Sequence, residues 1–258
     1  MLERNGLHVW RVDLDSAARD EARVASWSRL LSQEEQRKAA AFHLDGHRRE
    51  YIVAHAALRE LLGRSLGVEP AAVCLTVRPP EVGGGAGAAP TKPSVVRAEG
   101  GAGSGLDLRF NLSHTAGVAL IALTVGREVG VDVERNRPLK EMEAMVQSVF
   151  SEEEMDMWLQ LPAIERFAAF YRVWTRKEAY LKAIGLGLYR LLQDVTVPVS
   201  VERIAGASQG RPVRDLAGKG TWRVADVEVE SGYSAAVCWE GEGLEEIVVT
   251  DLDLSELN

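Results

Sequence analysis

Cysteine is scarce in this chain: Cys74 and Cys238 are the only two in 258 residues, far apart and in no metal-binding spacing. That excludes a disulfide framework and a zinc site, and predicts buried, reduced thiols in a cytoplasmic protein. Long apolar runs are missing too. No stretch approaches the roughly eighteen residues that a membrane-spanning helix needs, so no membrane partner is expected. The start, MLERNGLHVW, lacks the basic-then-apolar order of a signal peptide. Positive charge is in deficit, with 30 Lys and Arg against 38 Asp and Glu and a formal net charge of −8. Bulk electrostatics therefore disfavour nucleic acid or an anionic membrane. Finally, neither a G-x-x-x-x-G-K-[ST] loop nor a G-x-S-x-G elbow occurs, which removes the common nucleotide-hydrolase and serine-hydrolase signatures.

What is present is ordered in two similar passes. The stretch from Leu7 to Asp15 alternates as a strand, and Ser32 with Glu35 forms a capping-box signature before a long helical region. That region is predicted to break near Asp45-Gly46 and to stop at Gly63. Residues 79–105 are rich in glycine and alanine and predict two surface loops around the short segment Lys92-Pro93. The apolar run in Phe110–Thr124 predicts a buried strand, and VGVDVE at 129–134 predicts another. Ser151 and Glu154 form a second capping box, with Phe150 and Met155 at staple positions, before a helical region ending near Gly185. Strand-like runs follow at 195–201, 222–229, 234–239 and 247–250. VDLD at 12–15 resembles VDVE at 131–134, and Asp13 precedes Ser32 by the same interval as Asp132 precedes Ser151. The expected architecture is α+β, two copies of one module divided near residue 125 (1–125 and 126–258).

Chemistry concentrates in the second copy. On a strand through VGVDVE, Val129, Val131 and Val133 face one way while Asp132 and Glu134 face the other. Two carboxylates so close raise each other's pKa unless a cation intervenes, and Mg²⁺ takes a few carboxylates plus phosphate oxygens. An exposed strand face would carry the same letters. Trp174, Glu178 and Lys182 recur every four residues and share a helix face; a surface ion pair and a metal carboxylate beside a phosphate-binding lysine are both compatible with that spacing. Ser113 and His114 are neighbours on a strand, so their side chains diverge and make a poor nucleophile–base pair. Met142–Phe150 is the candidate apolar docking surface, and the remaining tryptophans are read as packing residues.

Taken together, these motifs resemble the surfactin-type 4′-phosphopantetheinyl transferases. Gly130-Val-Asp-Val-Glu134 is similar to the family's G-[IV]-D-[IV]-E signature, and the segment from Trp174 to Gly185 to its W-x-x-K-E-[AS]-x-x-K-x-x-G. Phe110-Asn-Leu-Ser-His114 resembles F-N-[IL]-S-H, and Lys92-Pro93 resembles G-K-P with Thr91 in place of the glycine. The resemblance implies a 4′-phosphopantetheinyl transferase fold, an intramolecular pseudo-dimer of two α+β modules with one site between unlike halves. It implies Mg²⁺ held by Asp132, Glu134 and Glu178, and a phosphate of the coenzyme A pyrophosphate held by Lys182. Coenzyme A phosphates would meet Ser113 and His114, Lys92 would add charge at the nucleotide, and Arg48 or Arg49, with help from Arg37, would meet the 3′-phosphate.

The implied reaction moves 4′-phosphopantetheine from coenzyme A to a serine of an apo acyl or peptidyl carrier protein in polyketide, peptide or fatty-acid synthesis. Glu178, Asp132 and Lys182 are its expected catalytic residues, Glu178 being the candidate base, in a monomeric enzyme. A Mg²⁺-dependent coenzyme A pyrophosphate hydrolase and a non-catalytic binder are the rival expectations. Counting seven residues back from Gly63 reaches Ala56, where Gly185 gives Glu178, so the first copy is expected to lack the glutamate.

Overall fold

The computed structural model describes residues 6–78, 92–96, 106–185, 192–200, 210–215, 220–244 and 246–256. The first half runs β1 (Gly6–Asp13), α1 (Leu14–Ala17), α2 (Glu21–Trp27), α3 (Gln33–Ala40), α4 (Asp45–Leu66), β2 (Leu75–Arg78), β3 (Lys92–Val95), β4 (Leu108–Thr115) and β5 (Val118–Val125). The second runs β6 (Val129–Arg135), α5 (Met142–Val149), α6 (Glu152–Gln160), α7 (Ala163–Ile184), β7 (Val195–Thr196), β8 (Arg211–Asp215), β9 (Trp222–Asp226), β10 (Tyr233–Glu240) and β11 (Glu246–Asp251). Most of the loop sequence at 79–105, and Val201 of the run expected at 195–201, lie outside the described residues.

Two main sheets form, ordered β11-β1-β5-β4 and β6-β10-β9-β8-β7, with β2-β3 as a separate ribbon. β5 shows why they stack. Its Ala119, Ile121 and Leu123 enter the core under α4, while Leu120 and Ala122 enter a second core on the opposite face. That second core also takes Leu7 and Val9 of β1 and Val129, Val131, Val133, Val237 and Trp239 of the other sheet. A third core lies between the second sheet and α5–α7. The layers are helices, sheet, sheet, helices, an α+β arrangement in which strands of both sheets are apolar on both faces.

The duplication extends to buried ion pairs. Both predicted capping boxes form, at Ser32/Glu35 and Ser151/Glu154. Glu35 also receives Arg59 Nε of α4 at 2.7 Å, and Glu154 receives Lys177 Nζ of α7 at 2.5 Å. Lys177 further donates to the carbonyls of Val149 and Leu192, and Arg59 to those of Pro70 and Val73. In each half one side chain thus ties the long helix to the start of the helix before it.

Several boundaries differ from the sequence reading. α4 does not stop at Gly63 but continues to Leu66 and is capped by Gly67 at φ +69°. Gly63 is there because a Cβ would come 2.8 Å from the carbonyl of Val68. Gly185 caps α7 in the same left-handed way, at φ +74°. Aligning these caps matches Glu60 with Glu178 and Arg64 with Lys182, so the first copy does carry the glutamate, paired to Arg64 at 2.8 Å. The region after Ser151 is two helices, α6 and α7, separated at Leu161-Pro162 because Pro162 cannot continue a helix. Strand β11 crosses over and pairs in parallel with β1, adding a C-terminal segment to the first sheet. Cys238 is buried as expected, whereas Cys74 is exposed just before β2. Of the expected docking surface, Val146, Val149 and Phe150 are core residues, while Met142 and Met145 are partly exposed and Ala144 is exposed.

Candidate active site

The site begins with a residue that has no side chain. Gly130 of β6 lies under α7 so closely that a Cβ there would stand 2.0 Å from the carbonyl oxygen of Ala179 and 2.4 Å from the amide of Ala183. Strand and helix therefore touch backbone to backbone. Gly130, Asp132 and Glu134 share the β6 face toward α7, while the alternating valines fill the core between the sheets. This close crossing brings Glu178 and Lys182 of α7 beside Asp132 and Glu134. In the first copy the VDLD alignment matches Gly130 with Arg11, but Arg11 shares its strand face with Leu7 and Val9, away from α4, and pairs with Asp251 at 2.7 Å. There α4 packs chiefly on the short turn Pro70–Ala72 that follows it and on α1, α2 and α3.

From the other sheet, β4 supplies two side chains on one face. Asn111 Oδ1 accepts the amide of Val131 at 2.9 Å, and Ser113 Oγ donates to Asp132 Oδ1 at 3.0 Å. Lys182 Nζ completes a triangle, donating to Asp132 Oδ1 at 2.6 Å and to Ser113 Oγ at 2.8 Å. The Trp174 side chain stands near enough to Glu134 to favour its charged form slightly, against the burial and the Asp132 charge that oppose it.

Negative charge exceeds positive here. Burial, then the charge of Asp132, pushes Glu178 up to about 7 despite Lys182. Burial and Asp132 also raise Glu134 above its ordinary value. Among the described residues, Asp132 Oδ2 and Glu178 Oε1 are buried side-chain oxygens without a hydrogen-bond partner. Buried acceptors without partners are costly, and a divalent cation satisfies such oxygens directly. The donor set, hard carboxylate oxygens, fits Mg²⁺, although no three metal-binding side chains among the described residues already converge as a ligand cage.

The other sequence candidates are distributed around this centre. His114 is exposed, opposite in facing to buried Ser113. The protein mass beside it, then the charges of His55 and Lys182, hold its pKa below the ordinary value. His55 of α4, which the sequence reading passed over, is oriented by Glu35 at 3.2 Å and stacks on Tyr51. Arg48 and Arg49 both pair with Asp45 in the first turn of α4; Arg49 also binds Glu21 at 2.8 Å and is the more committed of the two. Among the described residues, Arg37 bonds within its own helix, to the carbonyl of Gln33.

Lys92, expected to lend a free charge to the nucleotide, instead directs its ammonium inward. It donates to Glu128, to the carbonyl of Val129 at 2.9 Å and to that of Ala183 at 2.8 Å. Asn111, Gly130 and Trp174 lay inside the quoted motifs, and the period-two spacing of Asn111 and Ser113 was the available signal for their shared face.

An α+β enzyme of duplicated architecture, with a carboxylate–lysine centre where its two sheets meet, is thereby defined. Comparison with known proteins specifies which. Residues 128–238 match the family model of the 4′-phosphopantetheinyl transferase superfamily. The chain is 33% identical to the 4′-phosphopantetheinyl transferase HetI of Nostoc sp. over 72% of its own length and 71% of that protein. It is 26% identical to a putative 4′-phosphopantetheinyl transferase, slr0495, of Synechocystis sp., over 85% of this chain and 83% of that one. The solved holo-[acyl-carrier-protein] synthase of Thermotoga maritima aligns at 18% identity and a TM-score of 0.31, covering 45% of this chain and 64% of that one, too loosely to bear on the site. The chain belongs to the 4′-phosphopantetheinyl transferase superfamily.

Proposed function

We propose that this protein is a holo-[carrier protein] synthase: it transfers 4′-phosphopantetheine from coenzyme A to a serine of an apo acyl or peptidyl carrier protein and releases 3′,5′-ADP. The observation that carries the reading is the Asp132–Ser113–Lys182 triangle with the unpartnered oxygens of Asp132 and Glu178 beside it. A pyrophosphate needs cations and hydroxyl donors in one place, and its transfer needs an acceptor for the serine proton.

Asp132, Glu134 and Glu178 would hold Mg²⁺, which when bound supplies charge neutralisation on the pyrophosphate oxygens. Lys182 would turn its ammonium from Asp132 toward the same phosphates, and Ser113 would add a hydroxyl donor. Glu178 would take the proton on the carboxylate oxygen not held by the metal, as the carrier serine Oγ bonds to the β-phosphorus and the bond to 3′,5′-ADP breaks. A positioned base contributes about 10²–10⁴-fold in rate. His114 would bind a coenzyme A phosphate. Arg48, with fewer internal bonds than Arg49, would meet the 3′-phosphate. We assign the division near residue 125 to the two modules, with β11 lent to the first, and take the working unit to be a monomer. A net charge of −8 leaves nucleic acid without an attractive surface field.

Apo carrier, coenzyme A and Mg²⁺ are mixed with the protein, and the carrier is weighed by mass spectrometry. A phosphopantetheine mass gain that falls at least tenfold in rate in Glu178→Gln is the expected result. Carrier-independent release of 3′,5′-ADP would replace transfer by hydrolysis, and coenzyme A binding with no product would leave a binding protein.

A further inference from the structure

Lys92 sits where four elements meet. It begins β3; Glu128 immediately precedes β6; Arg109, on β4, shares the Glu128 carboxylate; and Ala183 is in the last turn of α7. A lysine ammonium has three N–H donors, and here all three have acceptors inside the protein: the Glu128 carboxylate and the carbonyls of Val129 and Ala183. The carbonyls of a helix's last turn have no partner within the helix, so Lys92 supplies one and places positive charge at the negative end of the helix dipole. The cavity bordered by Lys92, Ser94, Leu108, Phe110 and Glu128 measures ≈ 10 Å³, room for about one water and none for a base or a phosphate.

The clamp acts where precision is needed. Ala183 follows Lys182 directly, and its amide is one of the two α7 groups pressed against Gly130. The end of α7 is thus fixed on one side by a missing side chain and on the other by a lysine from the opposite half. From that end the chain projects Lys182 onto Asp132 and, one turn earlier, Glu178 beside it.

We propose that Lys92 is a positioning residue that clamps the end of α7 onto β6 and so sets the geometry of Lys182 and Glu178, without touching coenzyme A. This rests on the transferase reading above. Removing Lys92 alone would leave the buried Glu128 carboxylate short of one of its cationic partners, so the informative variant is K92M/E128Q, in which both partners change and Arg109 keeps Asp107 at 2.9 Å.

In steady-state transfer assays this variant is expected to lose about tenfold in kcat, since small misplacements of reacting groups are expensive. The KM for coenzyme A and the Kd for 3′,5′-ADP should stay within about twofold. Combined with K182A, the same pair of changes should cost less than about twofold further, because the group being positioned is gone. Hydrogen exchange at amides 178–185 should quicken. A tenfold rise in the KM for coenzyme A with kcat unchanged would make Lys92 a nucleotide contact and overturn the clamp, as would unchanged exchange at the end of α7. If wild-type protein transferred nothing, or K182A left turnover intact, the functional reading would fall instead, and the exchange measurement would still decide the clamp.

Discussion

A Cβ on Gly130 would meet the carbonyl oxygen of Ala179 at 2.0 Å, closer than any non-bonded pair can approach. The backbones of β6 and α7 are in direct contact, and this contact fixes how far Glu178 stands from Asp132. Gly130→Ala therefore has to lift the helix. We expect a loss of about 1–3 kcal/mol in stability, measured by denaturant unfolding. Transfer should drop by about 100-fold even at temperatures where the variant is fully folded. Wild-type kcat in a folded Gly130→Ala protein would show that the crossing does not control the site.

Acid should loosen the first half through Glu35. Burial alone would raise its pKa, but hydrogen bonds from His55 and from Ser32, with the charge of Arg59, bring it down from 4.5 to about 2. A depressed carboxylate pKa means stability that is present above the unfolded value and lost as pH falls through the folded one. Glu35→Gln should cost about 2 kcal/mol at neutral pH, with the difference from wild type vanishing as pH falls from about 4.5 to about 2. Urea midpoints across that range decide it; a pH-independent difference would point to lost packing instead.

Ala116 adopts φ +39°, followed by Gly117 at φ +92°, in the two-residue turn between β4 and β5. Left-handed backbone is unfavourable for alanine, and Tyr233 of β10 donates its hydroxyl to the Ala116 carbonyl at 2.6 Å. Tyr233→Phe should cost about 1 kcal/mol, and Ala116→Gly should recover a similar amount by removing the strain. Thermal melts of both single variants and the double settle the point. If Ala116→Gly lowers the melting temperature, the turn is not strained.

The two thiols should react separately. Cys74 is exposed, while Cys238 is fully buried and its pKa is pushed well up by that burial. An aromatic disulfide reagent should titrate one thiol in native protein and the second only on unfolding. Two fast thiols would mean that the second sheet opens readily.

The sequence was most informative where the pattern is local. Alternation in VGVDVE and the serine–glutamate spacing of the capping boxes depend on neighbours a few residues apart, and both appear as read. Gly63 misled because glycine has two uses: here it makes room for the carbonyl of Val68, while the terminating glycine lies four residues on. That slip hid Glu60, so what sets the halves apart is not a missing acid. The fate of Lys92 could not be read at all, because its acceptors come from residues 128, 129 and 183. Ser113, Asp132 and Lys182 were each picked out as candidates, but only tertiary structure shows that they share hydrogen bonds.

Strand β11 gives the duplication an asymmetry that matters to anyone cutting the gene. A fragment ending near residue 125 would leave β1 with a bare edge of amide and carbonyl groups, the kind of edge that recruits other chains and precipitates. Supplying residues 246–251 as a separate peptide should mask that edge in parallel register, Gly6 against Glu246 through Arg11 against Asp251. The protein is thus a natural candidate for a tripartite reporter, in which two large pieces stay dark until a short third strand joins them.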